Sequence, residues 1–296
     1  MHKILSIGEI IWDVYPDQKA IGGAPLNFAA HTVLCGAKSA LISAVGNDLL
    51  GDEAIAFAAK MGIDCRYVQR NDRPTGQCIV TLDDNAVPHY DVLRDVAYDR
   101  ILMEIQACAE IDRAGYDAFY FGTLIQRHGL SRQAVQRLLE QCRFSHVVCD
   151  VNLRPSCFDA ESVGLCLQNA TILKVSLEEE RLLRDMAAYR PTEDTLEGIA
   201  CAICRAYPQI RVVLITCGGD GSYAYDCGTG RSYRQRAVGE GVVSTVGAGD
   251  SFTAAWLTSY LDGEPIEKCL QRAAEVSGFV VAHTEAIPLY GDHAPS

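Results

Sequence analysis

Residues 244–252 read Ser-Thr-Val-Gly-Ala-Gly-Asp-Ser-Phe. Gly247, Ala248 and Gly249 allow a tight turn that points successive N–H groups into one concavity. A strand-like run over 237–243 leads in and an apolar-faced helix is predicted over 254–261, so the concavity sits at a helix N-terminus, where negative charge is favoured. Asp250 follows directly. A carboxylate beside an anion site suits a general base that takes the proton of an attacking hydroxyl during phosphoryl transfer. A glycine turn whose Asp simply caps the helix accounts for the same residues without chemistry. The stretch is no P-loop, because no G-x-x-x-x-G-K-[ST] occurs. It is no dinucleotide fingerprint either, because Phe252 stands where the third small residue belongs.

A second constellation lies near the other end. Gly22-Gly23-Ala24-Pro25 opens a helix predicted over 26–35, with Pro25 in its first turn and glycines that permit close approach to the backbone. Asp13 offers an acceptor and Asn27 both a donor and an acceptor, the mixture that sugar hydroxyls require. As plain structure, Asp13 is a turn residue and Asn27 a helix-start residue. Between the two ends, Asp150-Val-Asn-Leu-Arg154-Pro places polar groups just past a buried strand, or forms a loop that satisfies itself. Lys174, Ser176 and Glu179 surround the start of another helix, which its neighbours Glu178 and Glu180 also suit as a solvated acidic turn. Thr216, Gly218 and Gly221 belong to a glycine-rich loop after a strand. Arg94 and Arg100 are surface residues by default, Arg94 being within reach of a sugar or phosphate.

The phrases around Asp250 and over Gly22–Asn27 resemble the two signatures of the ribokinase-like (PfkB) carbohydrate kinases. G-E-I-I-W-D and G-G-A-P-L-N-F-A-A-H resemble the fructokinase-like branch, with Ala24 where ribokinases proper carry Lys. The resemblance covers nearly the whole chain and implies an α/β fold: a three-layer αβα sandwich with a mostly parallel central sheet and a small β-sheet lid. It implies one domain over 1–296, with lid strands inserted near 10–18 and 75–100. Asp250 would be the catalytic base, with an anion hole at Gly247, Ala248 and Gly249. Asp13, Gly22, Gly23, Asn27, Arg94 and Arg154 would meet the sugar. Lys174, Ser176, Thr216, Gly218 and Gly221 would meet ATP, and Glu179 and Asp150 would hold Mg2+, largely through water. The implied reaction is ATP-dependent phosphorylation of a primary hydroxyl, fructose to fructose 6-phosphate first. Ribose, another ketose or a nucleoside is the alternative acceptor, and a sugar- or nucleotide-binding protein without catalysis is the alternative class. Ser176 replaces the family's Asn; Ser244 replaces an Asp that ligates a monovalent cation and Glu285 a Gly, which leaves the presence of a potassium site open. By analogy the protein pairs as a homodimer through its lid.

The elements that must position these residues follow from periodicity. Strands are predicted over 3–7, 39–45, 65–69, 117–121, 145–150, 171–175 and 211–216, with an extended stretch over 9–15. Two more, over 77–82 and 89–93, form a hairpin about a turn at 83–85. Helices are predicted over 49–60, 131–141, 160–169, 176–186 and 195–206. Repeated β-α units with apolar strands imply a parallel sheet covered on both faces, with ligands beyond the carboxyl ends of its strands. Length of 296 residues and 49% hydrophobic content suit a globular enzyme. A net charge of -12 argues against nucleic-acid or anionic-membrane partners. No apolar run reaches the ~18 residues of a membrane span, and residues 1–12 do not read as a signal peptide. The 13 cysteines, including Cys201 and Cys204 within a predicted helix, are expected to be free thiols in a reducing cytoplasm.

Overall fold

The computed structural model of the protein describes residues 1–82, 88–239 and 241–290. In chain order its strands are β1 (Lys3–Ile7), β2 (Ile11–Val14), β3 (Lys19–Gly22), β4 (Lys38–Gly46), β5 (Val68–Asn71), β6 (Gly76–Leu82), β7 (Pro88–Val92), β8 (Ala118–Phe121), β9 (His146–Asp150), β10 (Ile172–Ser176), β11 (Val212–Thr216), β12 (Ser222–Asp226) and β13 (Arg231–Gln235). The helices are α1 (Ala24–Leu34), α2 (Leu49–Lys60), α3 (Ile105–Ala114), α4 (Gly129–Gln141), α5 (Ala160–Asn169), α6 (Leu177–Met186), α7 (Leu196–Ala206), α8 (Ala248–Leu261) and α9 (Ile266–Val281).

Nine strands make the large sheet, in the order β13-β12-β11-β10-β9-β8-β1-β4-β5. It is parallel from β11 through β5, while β12 and β13 turn back antiparallel at one edge. The strand residues alternate between two cores, as the pleat requires. Ile4, Ala118, Tyr120, Val148, Ile172 and Leu214 face a layer that includes Phe28 of α1, Trp256 of α8 and Leu270 of α9. Leu5, Phe119, Phe121, Cys149, Leu173 and Val213 face the opposite layer, with Ile111, Val135, Leu138, Val163 and Ile203 of α3, α4, α5 and α7. The result is the expected helix–sheet–helix sandwich. A separate four-stranded sheet has the order β3-β2-β6-β7, with β2 and β6 parallel and the outer pairs antiparallel. The turn predicted at 83–85 lies outside the described residues.

Four sequence expectations are corrected. Residues 237–239 and 241–243 form no strand: Val243 N donates to Val281 O of α9, and Gly239 and Gly278 bring the two backbones together, so these residues lie on a helix rather than in the sheet. Helix α8 starts at Ala248, not 254, which puts Asp250 in its first turn. The 13 cysteines are not all free, since Cys204 of α7 pairs with Cys227 in the β12–β13 turn and leaves Cys201 alone. Glu180 is not solvated. It is buried and ion-paired to Arg184 at 2.7 Å. The parallel strands otherwise lie close to their predicted ranges, whereas β3, α3, β12, β13 and α9 were not foreseen.

Candidate active site

The carboxyl edge of the parallel sheet gathers the polar residues. Even-numbered positions of β8, β9 and β10 point toward α1 and α8, so Tyr120, Asp150 and Lys174 share one face with Val148 and Ile172. Lys174 and Asp150 are register partners on neighbouring strands. Their side chains therefore meet: Lys174 Nζ donates to Asp150 Oδ1 at 3.0 Å, both groups buried. The same ammonium would lie 3.2 Å from a side chain placed on Gly249, so a positive charge sits directly under the start of α8.

Helices α1 and α8 pack against each other and both begin at this edge. Gly247 caps α8 in the left-handed region at φ 80°, and a Cβ there would come within 2.5 Å of Ala286 O. Only glycine fits that position. The amide of Ala248 donates back to Thr245 O at 3.3 Å. The amides of Gly249 and Asp250 are therefore first-turn donors left for an anion. Gly23 caps α1 at φ 111°, and Asn27 in its first turn donates through Nδ2 to Asp250 Oδ2 at 2.8 Å. Two residues 223 positions apart thus join the starts of two helices. Asp250 is half-buried and makes no ion pair among the described residues. Burial raises its carboxyl above the ordinary carboxylate range, against the pull of Asn27, Lys174 and Arg154.

The acceptors cluster on the side toward the small sheet. A side chain at Gly22 would begin 3.7 Å from Asp13 Oδ2 and 4.0 Å from Asn27 Oδ1. Asn27 Oδ1 is buried without a hydrogen-bond partner among the described residues. Burial raises the Asp13 carboxyl and the Arg154 guanidinium lowers it, so that exposed cation lies near Asp13 as well as Asp250. Arg94, also exposed, donates through Nη2 to Ser156 O in the loop after β9, the loop that carries Arg154. Arg100 pairs with Asp95 at 2.7 Å, away from the cluster.

At the other end of the edge, Ser176 and Thr216 are register partners at the ends of β10 and β11. Ser176 caps α6 in a reciprocal box with Glu179: Oγ accepts Glu179 N at 3.2 Å, and Glu179 Oε2 accepts Ser176 N at 2.9 Å. Glu179 Oε1 accepts Leu153 N at 2.7 Å, tying α6 to the loop that carries Arg154. Gly218 and Gly221 shape the loop after β11 at φ 55° and 103°; a Cβ on Gly221 would strike Gln235 O at 2.1 Å.

The donor set for a metal is all oxygen and hard, which suits magnesium. Burial pushes Asp150 up to about 7 despite Lys174, and Glu179 and Asp250 add to that rise, so a cation here would relieve crowded negative charge. Among the described residues no three His, Cys, Asp or Glu side chains converge as ligands. Asp150 and Glu179 therefore fit a metal brought in on phosphates and reached through water, not a cage of protein ligands.

Sequence reasoning missed Glu9. It is 3% exposed, and its Oε1 accepts Ala24 N at 3.2 Å. The available signal was a lone carboxylate inside the apolar run Ile7-Gly-Glu9-Ile-Ile. Tyr120 was also missed: its ring stacks on Phe28 at 3.9 Å, and its buried hydroxyl has no partner among the described residues.

Comparison with known proteins agrees with this architecture. The sequence model described as pfkB family carbohydrate kinase matches residues 1–290. A probable fructokinase-5 of Arabidopsis thaliana is 27% identical, covering 86% of this chain and 82% of its own. A 5-dehydro-2-deoxygluconokinase of Geobacillus thermodenitrificans is 25% identical, covering 89% of this chain and 79% of its own. The crystal structure of an uncharacterized sugar kinase from Pyrococcus horikoshii in complex with ATP superposes with a TM-score of 0.80 at 25% identity, over 96% of this chain and 94% of that one.

Proposed function

The chain belongs to the pfkB family of carbohydrate kinases, and on that premise we propose that it transfers the γ-phosphoryl group of ATP to a primary hydroxyl of fructose, giving fructose 6-phosphate. The observation that carries this reading is the Asn27–Asp250 hydrogen bond at 2.8 Å, which leaves Asp250 Oδ1 to receive a proton. The hydroxyl oxygen bonds to the γ-phosphorus as the bond from that phosphorus to the β,γ-bridging oxygen breaks. The hydroxyl proton passes to Asp250, and ADP leaves. The first-turn amides of α8 and the Lys174 ammonium steady the charge spread over the transferred group. Magnesium, when bound, would neutralise the nucleotide phosphates. Asp150 and Glu179 would hold its water shell, while Ser176, Thr216, Gly218 and Gly221 flank the nucleotide.

Acceptors at Asp13 and at the unpartnered Asn27 Oδ1 suit the hydroxyls of a neutral polyol. The four-stranded sheet that carries Asp13 serves as the lid, excluding water that would otherwise accept the phosphoryl group. A sugar acid is the second reading, favoured by the exposed Arg154 guanidinium beside Asp13. By family analogy the protomers pair through the lid sheets.

An ATP-consumption assay across fructose, ribose, other ketoses, nucleosides and deoxy sugar acids tests the reading. Fructose-dependent turnover is expected. Asp250→Asn should cut turnover by roughly 10²-fold or more while sugar binding persists. Near-normal turnover in that variant, or a wild type active on none of these acceptors, would refute it.

A further inference from the structure

Glu9 has no part in the reaction as drawn, yet it underlies the base. It leaves β1 at the carboxyl edge and is clasped by the turn that opens α1. Its Oε1 accepts Ala24 N at 3.2 Å. A Cβ on Gly8 would lie 2.2 Å from Pro25 Cγ, and one on Gly23 would lie 2.5 Å from Glu9 O, so both glycines exist to let the two segments close. Gly23 O in turn accepts Asn27 N at 2.9 Å, and the Asn27 side chain holds Asp250.

We propose that Glu9 is a positioning residue for phosphoryl transfer: by gripping the Ala24 amide it fixes the first turn of α1, and with it the Asn27 hydrogen bond that aims Asp250. The proposal rests on the reading of Asp250 as base.

A second feature converges on the same carboxyl. Glu9 lines a narrow cleft with Ala24, Tyr120, Thr123, Asp150 and Asn152. The charged and titratable groups facing Glu9 are Asp250 from α8, Asp150 at the end of β9, Arg154 from the loop after β9, Tyr120 from β8 and Tyr98 from the short turn before α3. Burial first, and then the Asp250 charge, push Glu9 up to about 7 against the pull of its own backbone N–H, of Arg154 and of the Ala24 amide. A neutral carboxyl keeps its carbonyl oxygen for Ala24 without setting a second negative charge beside the base.

Glu9→Ala should lower kcat for the sugar by roughly 10- to 100-fold with the KM for ATP unchanged, because misaiming a reacting group is costly while the nucleotide contacts lie elsewhere. Glu9→Gln keeps the acceptor oxygen and should recover most of that loss. If ionised Glu9 disturbs the neighbouring base, wild-type kcat should fall as pH rises through about 7, and Glu9→Gln should remove that fall. If Glu9→Ala does not fold, Glu9→Asp, too short to reach Ala24, takes its place. A melting series reads the Glu9 carboxyl independently of turnover. A carboxyl raised on folding contributes stability below its unfolded value that is lost as pH climbs through its folded one. The wild type should therefore lose ground to Glu9→Gln between pH 5 and pH 8, whether or not any sugar is turned over. Full kcat in the Ala or Asp variant, or Glu9→Gln losing as much kcat as Glu9→Ala, overturns the proposal. A wild type inert on all sugars sinks the kinase reading and the proposal with it, whereas an active wild type beside an unimpaired Ala or Asp variant sinks the proposal alone.

Discussion

Lys174 shows how far a single residue's surroundings decide what it can do. Its ammonium is buried, bonded to Asp150 and set under Gly249. Replacing it by Met would leave Asp150 with no cation at hydrogen-bond distance. Breaking such a pair from one side costs about 3–5 kcal/mol, so Lys174→Met should show a loss of that size in chemical denaturation. Adding Asp150→Asn should recover a large part of it, since the double variant buries no unpaired charge. Among single residues, Asp250 and Asn27 were picked out by resemblance to the family's two signatures, since a plain helix start fits the same residues, and the structure joins them at 2.8 Å. Glu9 and Tyr120 were not legible. Their importance arises from burial and from neighbours distant in sequence, and neither shows in local spacing.

At the scale of elements, helix starts do the positioning. Ser176 and Glu179 cap α6 reciprocally, and Glu179 reaches on to Leu153 N. Ser176→Ala should cost about 1 kcal/mol, as the loss of an N-cap does, read as a lowered melting temperature. If Glu179 also slackens its hold on the 150–155 loop, the apparent KM for the nucleotide should rise alongside. Strands buried on both faces were readable from their apolar runs, and amphipathic helices from their periodicity. The run 237–243 had strand composition, but its described residues lie against α9, with Val242 and Val243 exposed at 69% and 60%, so β-propensity lost to tertiary context. Helix α3 buries little beyond Cys108 and Ile111, too narrow a stripe to announce itself. The β12–β13 hairpin was more accessible, since Ser-Tyr-Ala-Tyr alternation precedes a Gly-Thr-Gly turn.

Across the whole molecule, the sandwich was legible because βα repetition admits few arrangements. The Cys204–Cys227 bond was not, because pairing depends on α7 lying beside the β12–β13 turn, a contact no spacing rule encodes. The two cysteines are 23 residues apart, and closing a loop of that size is worth about 3 kcal/mol in the chain-entropy account. Alkylation of the unfolded, unreduced protein should label 11 thiols, rising to 13 after reduction, and reduction should lower stability by an amount of that order. Labelling of all 13 without reductant would show that the bond does not form.

The Asn27–Asp250 contact also has a temporal side. Its partners are 223 positions apart, so a nascent polypeptide can collapse much of its sheet while α8 is still inside the ribosome. Competence for catalysis would arrive last, only once the carboxyl-terminal helices had emerged and docked. Products terminated before α8 would lack both the base and the layer that covers Ile4, Val148 and Leu214, so they would be inert and would present an apolar sheet face to solvent.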